Sequence, residues 1–117
     1  MKIFALTITL LLVSSMAFAQ EIKPKFEKKG ELTEATYYHD NGKIAQHGFY
    51  NSKGKLQGTW KSYDLEGKKV AIGNYDNGKK VGKWFFWNAD TLKEVTYEDY
   101  TIANVSEWSK KSTVAKN

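Results

Sequence analysis

The chain contains no cysteine, no arginine and a single proline among its 117 residues. Each absence removes an explanation. Without cysteine there is no disulfide framework of the kind that holds many exported domains of this size, and no cysteine to carry a lipid anchor. All eighteen basic residues are lysine. The planar arginine fork is the usual reader of bases and phosphates, so its lack argues against nucleic acid as a partner. Histidine is limited to His39 and His47. With no cysteine beside them and only scattered carboxylates, no metal site and no cofactor are expected. Amphipathic stretches of helical period are also missing beyond the first nineteen residues.

One long apolar run is present, and it stands at the start. Lys2 precedes residues 3–13 (IFALTITLLLV), and Ala17-Phe18-Ala19 places small residues at the positions a signal peptidase reads. The run is shorter than the ~20 apolar residues a spanning helix needs. Residues 1–19 are therefore expected to be a signal peptide cleaved between Ala19 and Gln20, giving an exported protein, periplasmic or secreted. The formal charge of +5 then falls by one with the loss of Lys2.

The remaining chain is enough for one domain. Its apolar content is aromatic: Phe26, Phe49, Phe85 and Phe86 stand with seven tyrosines and four tryptophans. Each ring can bury about 150–250 Å², a gross ~4–6 kcal/mol at about 25 cal/mol per Å². That gain opposes backbone ordering of roughly 1–2 kcal/mol per residue.

Residues 20–31 are charged, contain the proline, and read as a flexible leader. From Leu32 the chain repeats. Gly-Lys recurs at Gly42-Lys43, Gly54-Lys55, Gly67-Lys68 and Gly78-Lys79, spaced 12, 13 and 11 residues apart. A second glycine follows at alternating distance: Gly48 and Gly73 six residues on, Gly58 and Gly82 four residues on. The following aromatic alternates as well, GFY and GNY against GTW and GKW. The true unit is therefore about 24–25 residues long. A third copy starts at Trp84 and decays, with Thr91-Leu92 where Gly-Lys would stand.

Asn41-Gly42 and Asn77-Gly78, set between apolar runs, are strong hairpin signals because the turn wants positive φ. Strands are predicted near 32–38, 43–50, 56–63, 68–75, 80–87, 92–98 and 101–108. Consecutive hairpins make an all-β fold, an antiparallel meander forming an open, twisted, single-layer sheet. It occupies 32–108 and leaves 109–117 as a polar tail. Trp60 and Tyr63 are three apart, as are Trp84 and Trp87. Strand side chains alternate with period two, so the sheet carries aromatics on both faces. Trp60 and Trp84 are expected to pack the core, and Tyr63 and Trp87 to face the other way.

The stretches YNSKGKLQGTW (50–60) and YDNGKKVGKW (75–84) resemble MORN-type repeats. They are closest in pattern to the variant found in antitoxin components of bacterial toxin–antitoxin systems: Tyr, turn, Gly-Lys, two residues, Gly, any residue, Trp. The resemblance covers about 37–97. It implies a β-hairpin ribbon used as a binding scaffold for proteins or phospholipid, and no catalytic residues. The whole chain is also similar to short exported proteins of Bacteroidetes-like bacteria, some of which carry the label nicotinic acid mononucleotide adenylyltransferase.

The residues do not support that activity. A nucleotidyltransferase pairs histidines around a glycine, whereas His47-Gly48 is followed by Phe49. The Gly-Lys pairs lack the spacing and the hydroxyl residue of a phosphate loop, and they precede strands rather than helices. No serine stands in a nucleophile elbow, and Glu98-Asp99 reads as turn chemistry rather than a glycosidase pair. The expected function is thus a non-enzymatic scaffold meeting a protein partner through Tyr63, Phe85 and Trp87. The alternative is an anionic lipid or polymer surface read by the hairpin lysines Lys43, Lys55, Lys68, Lys79 and Lys80.

Overall fold

Eight antiparallel strands follow one another in sequence order across one sheet, each hydrogen-bonded to the next. The structure is a computed structural model and describes residues 21–109. The strands are β1 (Lys25–Lys29), β2 (Leu32–Tyr38), β3 (Ile44–Tyr50), β4 (Leu56–Tyr63), β5 (Lys69–Asp76), β6 (Lys79–Asn88), β7 (Thr91–Glu98) and β8 (Thr101–Ser109). This is the expected open meander. The expected signal peptide and cleavage point, and the residues beyond Ser109, lie outside the described residues.

One expectation needs correction. Residues 25–29 belong to the sheet rather than to a flexible leader: β1 pairs with β2 from Lys25 opposite Thr36 to Lys29 opposite Leu32. Its sequence, KFEKK, offers a single apolar residue, so the hydrophobic alternation that reveals a strand is missing. Phe26 nevertheless meets Tyr37 edge-on, ring centres 5.9 Å apart. The legible signal was Gly30, which takes φ +65° in the two-residue turn before Leu32.

Three of the turns share one construction. His39, Asn51 and Asp64 each close a loop with the lysine four residues on, at 2.8 Å in every case. Gly42, Gly54 and Gly67 occupy the left-handed position before that lysine. Side-chain oxygens of Asn51 and Asp64 accept two backbone N–H groups each, which satisfies donors a tight loop would otherwise orphan. Asn41 does this for Lys43 alone. Asn77-Gly78 differs: both residues have positive φ, 51° and 85°, in a two-residue hairpin of the primed type. The Asn-Gly at 41–42 is thus part of a longer loop, although its local sequence is the same.

The core is one row across one face. Ala35, Gly48, Trp60, Gly73, Trp84 and Val95 are the buried residues among those described, one from each of β2 to β7. The two sheet glycines lie under indoles. A Cβ on Gly48 would fall within the Trp60 ring, and one on Gly73 within the Trp84 ring. Each indole N–H then reaches the carbonyl just past its glycine: Trp60 Nε1 to Phe49 at 3.0 Å, Trp84 Nε1 to Asn74 at 3.2 Å. Tyr50 stands edge-on to Trp60 at 5.2 Å, and Tyr75 to Trp84 at 5.0 Å. A tryptophan lying flat on backbone and walled by tyrosine reaches 6–7% exposure without a second layer.

The other glycine pair makes this possible. Gly58 and Gly82 adopt φ +75° and +65° with open space where a Cβ would point. At these places β3–β4 and β5–β6 slip in register, so three residues of the longer strand oppose a single glycine. Such a bulge re-aims the next side chain, here Trp60 or Trp84, onto that glycine. The alternating glycine spacing in the sequence therefore separates two jobs, floor and bulge.

Candidate functional site

The face opposite the tryptophan row holds the three aromatic residues singled out from sequence, Tyr63, Phe85 and Trp87. Along β6 the faces alternate: Trp84 stacks with Phe86, while Phe85 stacks with Trp87 at 6.2 Å. Cross-strand register then extends Phe85 and Trp87 into two rows. An inner row runs His47, Lys61, Ile72, Phe85, Glu94. An outer row, near the turns, runs Tyr63, Lys69, then Trp87, Leu92, Trp108. Lys69 bridges its two halves, with Nζ 5.9 Å from the Trp87 ring centre. Tyr63, Phe85 and Trp87 are all half-buried, so each offers ring surface to solvent on a sheet face with no second layer among the described residues.

Trp108 was not among the sequence candidates. It sits in β8, two strands from Trp87, with Leu92 between them. The three residues line a shallow depression of about 390 Å³ together with Asp90 and Thr91. A second depression joins Ile44 and Tyr63 to the turns at Lys43 and Glu66. No local motif marks Trp108; only the β7–β8 register brings it into the row.

Two ion pairs stand on this face. His47 Nε2 meets Glu34 Oε2 at 2.9 Å, and this hydrogen bond holds the Glu34 carboxyl below its ordinary range, with the charges of Lys29 and Lys25 adding to it. Lys83 lies 3.4 Å from Glu94. His39 does not approach His47; its Nε2 donates to the Tyr63 carbonyl at 2.9 Å and fixes the end of β4. Among the described residues no three histidine, aspartate or glutamate side chains converge as metal ligands.

The five lysines do not form one row. Lys43 and Lys68 sit at adjoining turns on one end of the strands, where Lys43 donates to the Glu66 carbonyl and Lys68 pairs with the Glu66 carboxylate at 3.5 Å. Lys55 and Lys79 sit at the opposite end. There Lys55 runs beside Gly78, and Lys79 lies 4.5 Å above the Tyr100 ring. Lys80 belongs to the tryptophan face, over Trp84 at 5.1 Å and Tyr97 at 5.7 Å. On that face Tyr37 and Tyr50 share a hydrogen bond of 2.7 Å. Partial burial and this bond push the Tyr50 phenol up to about 12.

Comparison with known families agrees with this geometry. Residues 33–52 and 56–77 match the MORN repeat variant model, each match covering one strand–turn–strand passage. The chain is thus similar to repeat proteins of that kind over the central hairpins. No curated protein and no solved structure matches it.

Proposed function

We propose that this protein is an exported, non-enzymatic scaffold that binds a protein partner through the aromatic face of its sheet. One observation carries the reading. The fifteen Phe, Tyr and Trp rings of the described residues are more than a single-row core needs, and Tyr63, Phe85, Trp87 and Trp108 gather on the face that does not hold that core. Aromatic residues concentrated on an otherwise open surface are the usual anchors of an interface. The repeat match supports it, since MORN repeats typically mediate binding.

The lysine alternative draws less support. An anionic surface is read best by cations on one side, and here they divide between two ends and a face. Nucleotidyl transfer draws none, because a phosphate site would want a glycine loop opening a helix, and the Gly-Lys turns open strands.

The test is a pull-down from envelope extract with wild type and Trp87→Ala, the fold of both checked by near-ultraviolet circular dichroism. A specific partner retained by wild type and lost by the folded variant is expected. Equal capture by both would sink the aromatic-face reading.

A further inference from the structure

The two outer edges of the sheet are built differently. An edge strand exposes a row of unpaired backbone groups, which proteins normally guard with charge, proline or shortness. β1 has all three: Pro24 precedes it, it is five residues long, and Lys25, Glu27, Lys28 and Lys29 are charged. β8 has no proline and runs nine residues with one charge, Glu107; its other guard is a bulge at Ala103, where it slips against β7. Ile102, Val105 and Trp108 on β8 and Tyr100 in the turn before it make up half of the large exposed hydrophobic residues among those described.

We propose that β8 pairs with β8 of a second copy, antiparallel about a two-fold axis, joining two eight-stranded sheets into one. The inference goes beyond the partner-binding reading and does not depend on it. A two-fold contact sets an edge against itself, so the edge must be compatible with its own sequence. Overlap centred on Val105 places Val105 on Val105 and Asn104 on Ser106; past the extra residue at Ala103 each Glu107 faces Ala103 or Ile102, so no charge meets its like. The same operation on Lys25–Lys29 would set Glu27 on Glu27 and Lys25 on Lys29, and like charges directly opposite repel. A two-fold axis normal to the sheet also keeps the Tyr63, Phe85 and Trp87 faces of both copies on the same side.

The experiment is light scattering on the chain expressed from Met1, its N-terminus read by mass spectrometry, over a wide concentration range. Wild type is expected at the mass of two chains, Val105→Lys at half that mass, and Phe26→Lys on β1 unchanged from wild type. Hydrogen–deuterium exchange on wild type supplies a measurement that no misfolded variant can spoil: amides of 101–109 gain protection as the dimer forms, and those of 25–29 do not. A single-chain mass at every concentration overturns the proposal. So does a ladder of higher oligomers, which would mean β8 joins β1, or a folded Val105→Lys that remains dimeric. Trp87→Ala should stay dimeric whether or not it captures a partner, which separates this result from the function above.

Discussion

Replacing Gly73 with alanine puts the packing of the whole row to the test. The new methyl group would occupy the space of the Trp84 indole, so the ring must lift from the sheet. Lifting it weakens the indole N–H bond to Asn74 and the contacts with Tyr75, Phe86 and Tyr97, and rewets a side chain only 6% exposed. Removing a buried aromatic outright costs about 3–5 kcal/mol. Gly73→Ala should approach the lower part of that range, a large share of a total stability of roughly 5–15 kcal/mol. Gly58→Ala is the control. Its φ of +75° makes alanine strained, yet nothing lies near the new Cβ, so the cost should stop at about 1–2 kcal/mol. Gly73 is not among the positive-φ glycines, which yields a sharper check. With Trp84→Ala already in place, the obstacle is gone, and Gly73→Ala should be neutral or stabilising by about 0.4–1 kcal/mol. Urea denaturation followed by tryptophan fluorescence and circular dichroism measures wild type, the three single variants and the double variant. Equal costs for Gly73→Ala and Gly58→Ala, or additivity of Gly73→Ala with Trp84→Ala, would refute the floor-and-ring account.

Two pH dependences follow from the paired groups. The folded pKa of Glu34 is depressed by His47, so its contribution is present above the ordinary glutamate range and is lost as pH falls through the lower folded value. Glu34→Gln should therefore lower thermal midpoints slightly at neutral pH and leave them unchanged well below the folded pKa, which flattens the acid limb of the profile. Tyr50 behaves oppositely. Its folded pKa is raised to about 12, so its contribution is complete below the ordinary tyrosine value of about 10 and is lost as pH climbs through the folded one. Ultraviolet phenolate titration should show a late-ionising tyrosine, and Tyr37→Phe should bring it earlier by removing the shared hydrogen bond. A titration unchanged by Tyr37→Phe would contradict that cause.

Turn positions, strand order and the all-β meander were legible in the amino-acid sequence, because glycine and asparagine choose hairpin geometry locally. Seven of the eight strands lie within a residue or two of where the Gly-Lys spacing puts them. Even the division of aromatics between two faces followed from residues three apart. The rest is non-local. β1 carries one apolar side chain, and only its pairing with β2 makes it a strand. The alternating spacing tells Gly48 from Gly58, but that one is a floor and the other a bulge depends on which strand slips against which. Trp108 reaches Leu92, and the lysines part to opposite ends, through the same cross-strand register. Register is selected by side chains packing across strands, where a one-residue shift reverses every face. That choice belongs to the assembled sheet, and it decides which aromatics are core and which remain open to solvent.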